Sequence, residues 1–120
     1  MDNDSRGMVL AALAEPTRRR VVELLSAGPR AAGQLAEETT VTAATMSKHL
    51  RVLRRSGLIE EKRQNQRDAR LRIYSLRPEP ILALEEWLRQ RLVFWSEQME
   101  SYKDFVERLH GSEKWPPNLQ

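Results

Sequence analysis

The sequence predicts a mainly α-helical protein with one small β-hairpin and a long C-terminal helix. Three observations support this fold class. Apolar residues recur at helical spacing through residues 8–55, the period changes to two after Gly57, and it returns to about three and a half after Pro80. At 120 residues the chain has room for one domain with a modest core.

Two helices are predicted before residue 30. The apolar run MVLAALA at residues 8–14 indicates a short helix. Pro16 interrupts it, because a proline disfavours helical backbone at the residue before it and suits the first turn of a new helix. The second helix then runs from about residue 17 to residue 26, and Gly28 with the proline after it ends the helix.

A pair of helices joined by a short turn follows. A short helix over about residues 33–38 leads to Thr42, which is placed to N-cap a helix over residues 43–55. Three apolar residues of that last helix share one face, with spacings of four and three: Met46, Leu50 and Leu53. We expect this face to be buried and the opposite face to point outward.

Residues 58–76 predict a hairpin. The first strand covers residues 58–63 and the return strand covers residues 70–76, with a polar turn between them. Alternation along the return strand places Ile73 and Tyr74 on opposite faces. Because a two-stranded hairpin is only marginally stable by itself, we expect it to pack on the helices.

Residues 78–110 predict one long helix, and we expect a flexible tail over residues 111–120. The apolar residues of the helix have an average spacing of about 3.5, which is the period of coiled coils. Such a helix spans roughly 45 Å, which is longer than a domain this small can cover. An uncovered apolar seam implies a second chain, and folding back over the core is the alternative. The predicted dimer seam contains Leu84, Leu88, Leu92, Trp95, Met99, Tyr102 and Val106.

The order of elements over residues 8–77 is that of a winged helix-turn-helix domain, and its charge favours DNA. Residues 43–77 carry ten Lys or Arg against three acids, whereas the whole chain has a net charge of +3. A field concentrated in one block favours a polyanion, and a solvated basic face is the alternative. In such domains the second helix of the pair enters the major groove and the wing contacts the backbone or the minor groove.

The predicted DNA contacts come from the cap and outer face of the fourth helix and from the wing. Small residues allow close approach to bases, hydroxyls donate hydrogen bonds, and the cations contact phosphates. From the helix we select Thr42, Ala43, Ala44, Thr45, Ser47, Lys48, Arg51 and Arg54, with Arg55 as a further source of charge. From the wing we select Arg63, Arg67 and Arg70.

Three segments resemble a known family. LAEPTRRR at residues 13–20 resembles the "LADPTRR" opening of the ArsR/SmtB family of bacterial winged-helix repressors. SKHLRVL at residues 47–53, followed by SGLI at residues 56–59, resembles the recognition segment of that family. YSL at residues 74–76 resembles the end of its wing, so that the resemblance covers most of the chain.

The resemblance implies a homodimeric repressor that binds an inverted-repeat operator. It implies that His49 also meets DNA, although packing at the helix edge is an alternative for this side chain. It implies too that the first helix joins the dimer interface, where Met8 and Leu10 are its apolar candidates. Thr40 departs from the family pattern, which commonly has Gly in this turn, and this predicts a looser turn.

The composition excludes several chemical classes. Without Cys the chain forms no disulfide and no Cys-ligated metal site, and two histidines, His49 and His110, do not complete a zinc or arsenite sensor. We expect no metal and no cofactor. No set of nucleophile, base and orienting residue stands out, so an enzyme is not predicted. The alternative function is a winged-helix module that binds another protein.

Regulation and location are less constrained. An organic effector between the long helices is possible at Trp87, Phe94, Trp95 and Tyr102, whereas dimer packing or control by concentration alone needs no ligand. Residues 1–7 are polar, and no apolar run approaches the roughly 18 residues of a membrane span. We therefore expect a flexible N-terminus over residues 1–7 and a cytoplasmic protein.

Overall fold

The computed structural model describes residues 2–63 and 72–110, and it confirms the mainly α-helical architecture with a small antiparallel sheet. The predicted wing-tip residues Arg67 and Arg70 and the predicted tail over residues 111–120 lie outside the described residues. The elements are α1 (Asn3–Leu13), α2 (Pro16–Ala27), β1 (Arg30–Ala31), α3 (Ala32–Thr39), α4 (Ala43–Arg55), β2 (Ile59–Arg63), β3 (Arg72–Leu76) and α5 (Glu79–His110).

The first helix is longer than the sequence predicted. It begins at Asn3 instead of residue 8, so residues 3–7 are helical although they were expected in a flexible N-terminus. The Asp2 carboxylate accepts a hydrogen bond from the Ser5 backbone N–H at 2.7 Å. This N-cap satisfies an amide that has no partner inside the helix, and the apolar run alone did not reveal it.

The sheet has three strands instead of the predicted two. Their order is β1-β3-β2, and both pairings are antiparallel. On one side Arg30 of β1 pairs with Tyr74, and on the other side Glu61 of β2 pairs with the same residue. The two-residue β1 has no alternation to read in the sequence, and it forms because α2 and α3 bring it beside β3.

The core lies between the helices and the sheet. The face of α4 predicted to be buried is buried, at Met46, Leu50 and Leu53. On β3 the buried residue is Tyr74, whereas Ile73 on the opposite face is half-buried. The other fully buried large side chains are Leu35, Leu58, Val9 and Val21.

The chain divides into two compact units, and the boundary falls inside α5. One unit ends at Leu84 and the other begins at Glu85. Leu84 is only 9% exposed and belongs to the core of the first unit. Leu84 is therefore less accessible to a second chain than the other predicted dimer-seam residues, because helical spacing alone did not show where the core ends.

Candidate nucleic-acid interface

The turn between α3 and α4 is tight and strained. Thr40 has φ +55° and ψ +44°, which is left-handed backbone that side chains with a Cβ rarely adopt. Its backbone N–H donates to the Glu37 carbonyl at 3.2 Å, and the next N–H, of Val41, donates to the Ala36 carbonyl at 3.1 Å. The expectation of a looser turn is therefore wrong, because hydrogen bonds hold a threonine in the conformation that glycine adopts most easily.

The start of α4 is capped as the sequence predicted. The Thr42 hydroxyl oxygen accepts from the Thr45 backbone N–H at 3.1 Å, and the hydroxyl donates to the Thr45 hydroxyl at 2.9 Å. Both threonines are exposed. An exposed helix N-terminus combines unpaired backbone N–H groups with a positive dipole end, and both favour an anion such as a DNA phosphate.

The outer face of α4 is exposed over its whole length. Its first turns present small or polar side chains, and its later turns present cations. Within the described ranges, neither Lys48 nor Arg51 nor Arg55 pairs with a carboxylate. The exposed predicted residues of this face are Ala43, Ala44, Ser47, Lys48 and Arg51. The small side chains in the first turns of α4 therefore allow close approach of another molecule. The later turns carry positive charge that is not paired with a described carboxylate.

Arg54 differs from the other cations of α4. Its Nη1 atom lies 2.8 Å from Oε2 of Glu61 on β2. Oε1 of the same carboxylate lies 3.3 Å from Nε of Arg72 on β3. The Tyr74 hydroxyl donates to Oε2 at 3.5 Å. We call Arg54, Glu61, Arg72 and Tyr74 the helix–wing cluster, because it joins α4 to both strands of the wing.

The helix–wing cluster is partly shielded from water. The Glu61 side chain is 13% exposed, whereas those of Arg54 and Arg72 are about half exposed. Burial raises the pKa of the Tyr74 phenol, and the neighbouring Glu61 carboxylate raises it further. Tyr74 is therefore a neutral hydrogen-bond donor near neutral pH, and the carboxylate is its acceptor.

His49 lies against α2 instead of on the outer face of α4. Its Nδ1 atom is 3.4 Å from Nη1 of Arg18 and 3.8 Å from Oε2 of Glu15, and the side chain is 16% exposed. This position favours the packing alternative over the DNA contact that the resemblance implied. The sequence did not show this contact, because it depends on how α4 packs against the start of α2.

Glu15 and Arg18 were not predicted as site residues. The Glu15 carboxylate N-caps α2 by accepting from the Arg18 backbone N–H at 2.9 Å. Burial opposes its ionisation, but the Arg18 N–H and the charges of His49 and Arg18 outweigh burial and lower the pKa of Glu15. The Arg18 side chain donates to the carbonyls of Ala12 at 2.8 Å and Ala11 at 3.1 Å. The LAEPTRRR segment therefore joins α1, α2 and α4, which its resemblance alone did not show.

The remaining predicted residues fall into two groups. On β2 the backbone of Arg63 pairs with Arg72, and its side chain lies outside the described residues. The apolar dimer candidates other than Leu84 are accessible: Met99 and Val106 are half-buried, and Met8, Leu10, Leu88, Leu92, Trp95 and Tyr102 are exposed. The sequence missed further exposed apolar residues of α5, among them Phe105.

The described residues contain neither a metal-binding cluster nor a membrane-spanning helix. Over residues 2–63 and 72–110, no three side chains of His, Cys, Asp or Glu meet in a way that would hold a metal ion. In the same ranges, no helix has the length and apolar character that crossing a membrane takes.

A capped, exposed helix that follows a tight turn, beside a small antiparallel sheet, defines a winged helix-turn-helix protein. A family profile described as "Helix-turn-helix domain" matches residues 1–62. The chain is 34% identical to the HTH-type transcriptional regulator Rv2034 of Mycobacterium tuberculosis, over 80% of this chain and 83% of the relative. It is also 34% identical to the transcriptional repressor SdpR of Bacillus subtilis, over 48% of this chain and 64% of the relative.

A solved structure extends the similarity to the fold. The crystal structure of the ArsR family transcriptional regulator RHA00566 matches with a TM-score of 0.72 and 31% identity. The match covers 80% of this chain and 95% of that one. The chain belongs to the ArsR family of helix-turn-helix transcriptional regulators.

Proposed function

We propose that this protein is a homodimeric transcriptional repressor that binds an inverted-repeat operator through α4 and the wing. The main support is the outer face of α4. There, small and hydroxyl side chains precede three cations that have no carboxylate partner among the described residues. The proposed site of action is the cytoplasm. The similarity to a transcriptional repressor supports repression over activation.

We assign recognition of the DNA base sequence to the first half of α4. The major groove is about 12 Å wide and admits one helix, and the N-terminal residues of that helix reach the base edges. Ala43 and Ala44 allow close approach and contact with thymine methyl groups, and Ser47 donates or accepts a hydrogen bond. These side chains supply the sequence preference.

We assign most of the affinity for DNA to the cations of α4 that pair with no described carboxylate. Among the described residues, Lys48, Arg51 and Arg55 have no carboxylate to leave when they contact a phosphate, so each contact releases a counterion from DNA. Each such contact contributes roughly 0.9 to the slope of log affinity against log salt. Binding is therefore expected to weaken steeply as salt increases.

Dimerisation is assigned to α1 and α5. The side chains of Leu88, Leu92, Trp95 and Tyr102 are exposed and recur at the seam spacing of a coiled coil. An isologous dimer presents two copies of α4 to one DNA molecule, and its twofold symmetry matches an inverted repeat. An organic effector at the aromatic residues of α5 remains a prediction from the sequence.

The test is selection from a pool of random-sequence DNA duplexes, followed by sequencing, at two salt concentrations. We expect an enriched inverted repeat with half-sites about one helical turn apart. Retention of duplexes without any enriched sequence, lost at the higher salt, would contradict the proposal. The basic face would then be a non-specific surface, and a protein-docking module would be the better explanation.

A further inference from the structure

Glu61 is a carboxylate placed inside the most basic part of the chain. It belongs to β2, and it is held by Arg54 from α4 and by Arg72 and Tyr74 from β3. Both of its oxygens are engaged: Oε2 by Arg54 and Tyr74, and Oε1 by Arg72. A carboxylate beside a DNA-binding face repels phosphates, so its presence there requires an explanation.

Stability is a weak explanation for this arrangement. Ion pairs in which one partner is half exposed contribute little, and a partly buried carboxylate loses hydration that its pairs must repay. An apolar side chain of similar size would fill the same position without that cost. What a carboxylate supplies, and an apolar side chain does not, is a directional link between guanidinium groups on separate elements.

We propose that Glu61 is a positioning residue that makes binding selective. It ties the end of α4 to both wing strands, and it withholds the charges of Arg54 and Arg72 from DNA of any sequence. The proposal rests on the proposed function and deepens it. Non-specific affinity depends on the number of free cations, whereas specific affinity also depends on where α4 and the wing stand relative to each other. Glu61 therefore lowers the non-specific affinity for DNA and supports the specific affinity.

Glu60 provides a matched control. It precedes Glu61 on β2 and points to the opposite face of the strand, where its carboxylate lies 3.4 Å from Nζ of Lys62 on the same strand. Among the described residues, Glu60 forms no ion pair between α4 and the wing. Replacing either glutamate by glutamine removes one negative charge, but only Glu61→Gln breaks the helix–wing cluster.

The experiment measures the affinity of full-length wild type, Glu60→Gln and Glu61→Gln for two duplexes over a range of salt. One duplex is the sequence recovered by selection, and the other is its scrambled version. For Glu60→Gln we expect both affinities to change by the same factor. For Glu61→Gln we expect tighter binding to the scrambled duplex, with a slope steeper by up to about two because two guanidinium groups are released, and a selectivity ratio reduced on the order of tenfold.

The outcomes separate this inference from the proposed function. If wild type does not distinguish the two duplexes, the proposed function fails first. If wild type distinguishes them and Glu61→Gln keeps the same ratio as Glu60→Gln, the proposed function stands and the role of Glu61 is overturned.

A second variant covers the case in which Glu61→Gln does not fold, as judged by thermal melting. Arg54→Met removes the link from the α4 side and keeps the hydrophobic stem of the side chain. Loss of an ordinary phosphate contact weakens binding to both duplexes equally. Loss of the link reduces the selectivity ratio instead, so an unchanged ratio in Arg54→Met also overturns the inference.

Discussion

The two units of the chain differ in how far their large apolar side chains are exposed to solvent. Up to Leu84, the chain buries a set of large apolar side chains, among them Leu53 and Leu58. From Glu85 onward, α5 leaves residues such as Leu92 and Phe94 about 60% exposed. The first unit therefore has its own core, whereas the apolar face of the second is available to a partner.

The largest effect is expected in the core of the first unit. Leu53→Ala removes a fully buried side chain of α4 and leaves a cavity, so we expect the free energy of unfolding to fall by about 2–5 kcal/mol. Chemical denaturation measures this change. Leu82→Ala is the control, because Leu82 is 60% exposed, and a loss as large as that of Leu53→Ala would contradict the assigned core.

The second effect concerns the exposed face of α5. We expect the combined substitution Leu92→Asp and Trp95→Asp to convert the proposed dimer to a monomer, because burying two unpaired carboxylates in an apolar seam is costly. Sedimentation at micromolar concentration measures the oligomeric state. Val93→Asp is the control, since Val93 is exposed but lies away from the seam spacing. A wild type that sediments as a monomer would refute the dimer itself.

The third effect separates free from paired cations on α4. Arg51→Ala is expected to weaken binding to all duplexes and to reduce the salt slope by about one. Arg54→Ala is expected to reduce the slope less, because Glu61 already pairs with that guanidinium at 2.8 Å. Salt titrations of both variants test this order. In Arg89→Ala, where the lost cation pairs with Glu85 on α5, the slope is expected to stay unchanged.

The smallest effect is a pH dependence of stability at the start of α2. The pKa of Glu15 is lowered in the folded protein from an ordinary value of 4.5. The stabilisation by the ionised carboxylate is therefore fully present above that pH. It is lost as the pH falls through the lower folded pKa. We expect the melting temperature of wild type to fall more than that of Glu15→Gln when the pH is lowered from about 6 to about 3. Parallel curves for the two proteins would contradict this link.

Local signals predicted α4 and its neighbourhood well. The bounds of α4 agree residue for residue with the prediction, because Thr42 caps the helix and Ser56 with Gly57 ends it. The long C-terminal helix was predicted from its apolar spacing, and the described residues Glu79–His110 are helical. Strand β1 was missed, since two residues carry no periodicity.

Side-chain partners were the least predictable part of the candidate site. His49 was assigned to DNA by resemblance, yet it lies beside Arg18 of α2 and Glu15, the N-cap of that helix. Arg54 was grouped with the free cations, yet it pairs with Glu61. In both cases the partner belongs to another element, and its distance depends on how the elements pack.

The amino-acid sequence was enough to predict which face of α4 is apolar, where that helix begins and ends, and that positive charge is concentrated in residues 43–77. These properties are local, since helical periodicity, capping and charge are properties of neighbouring residues. Tertiary packing, in contrast, pairs Arg54 with a carboxylate and leaves Arg51 without one among the described residues. A carboxylate neutralises a cation only at contact distance, and the fold alone brings Glu61 to Arg54.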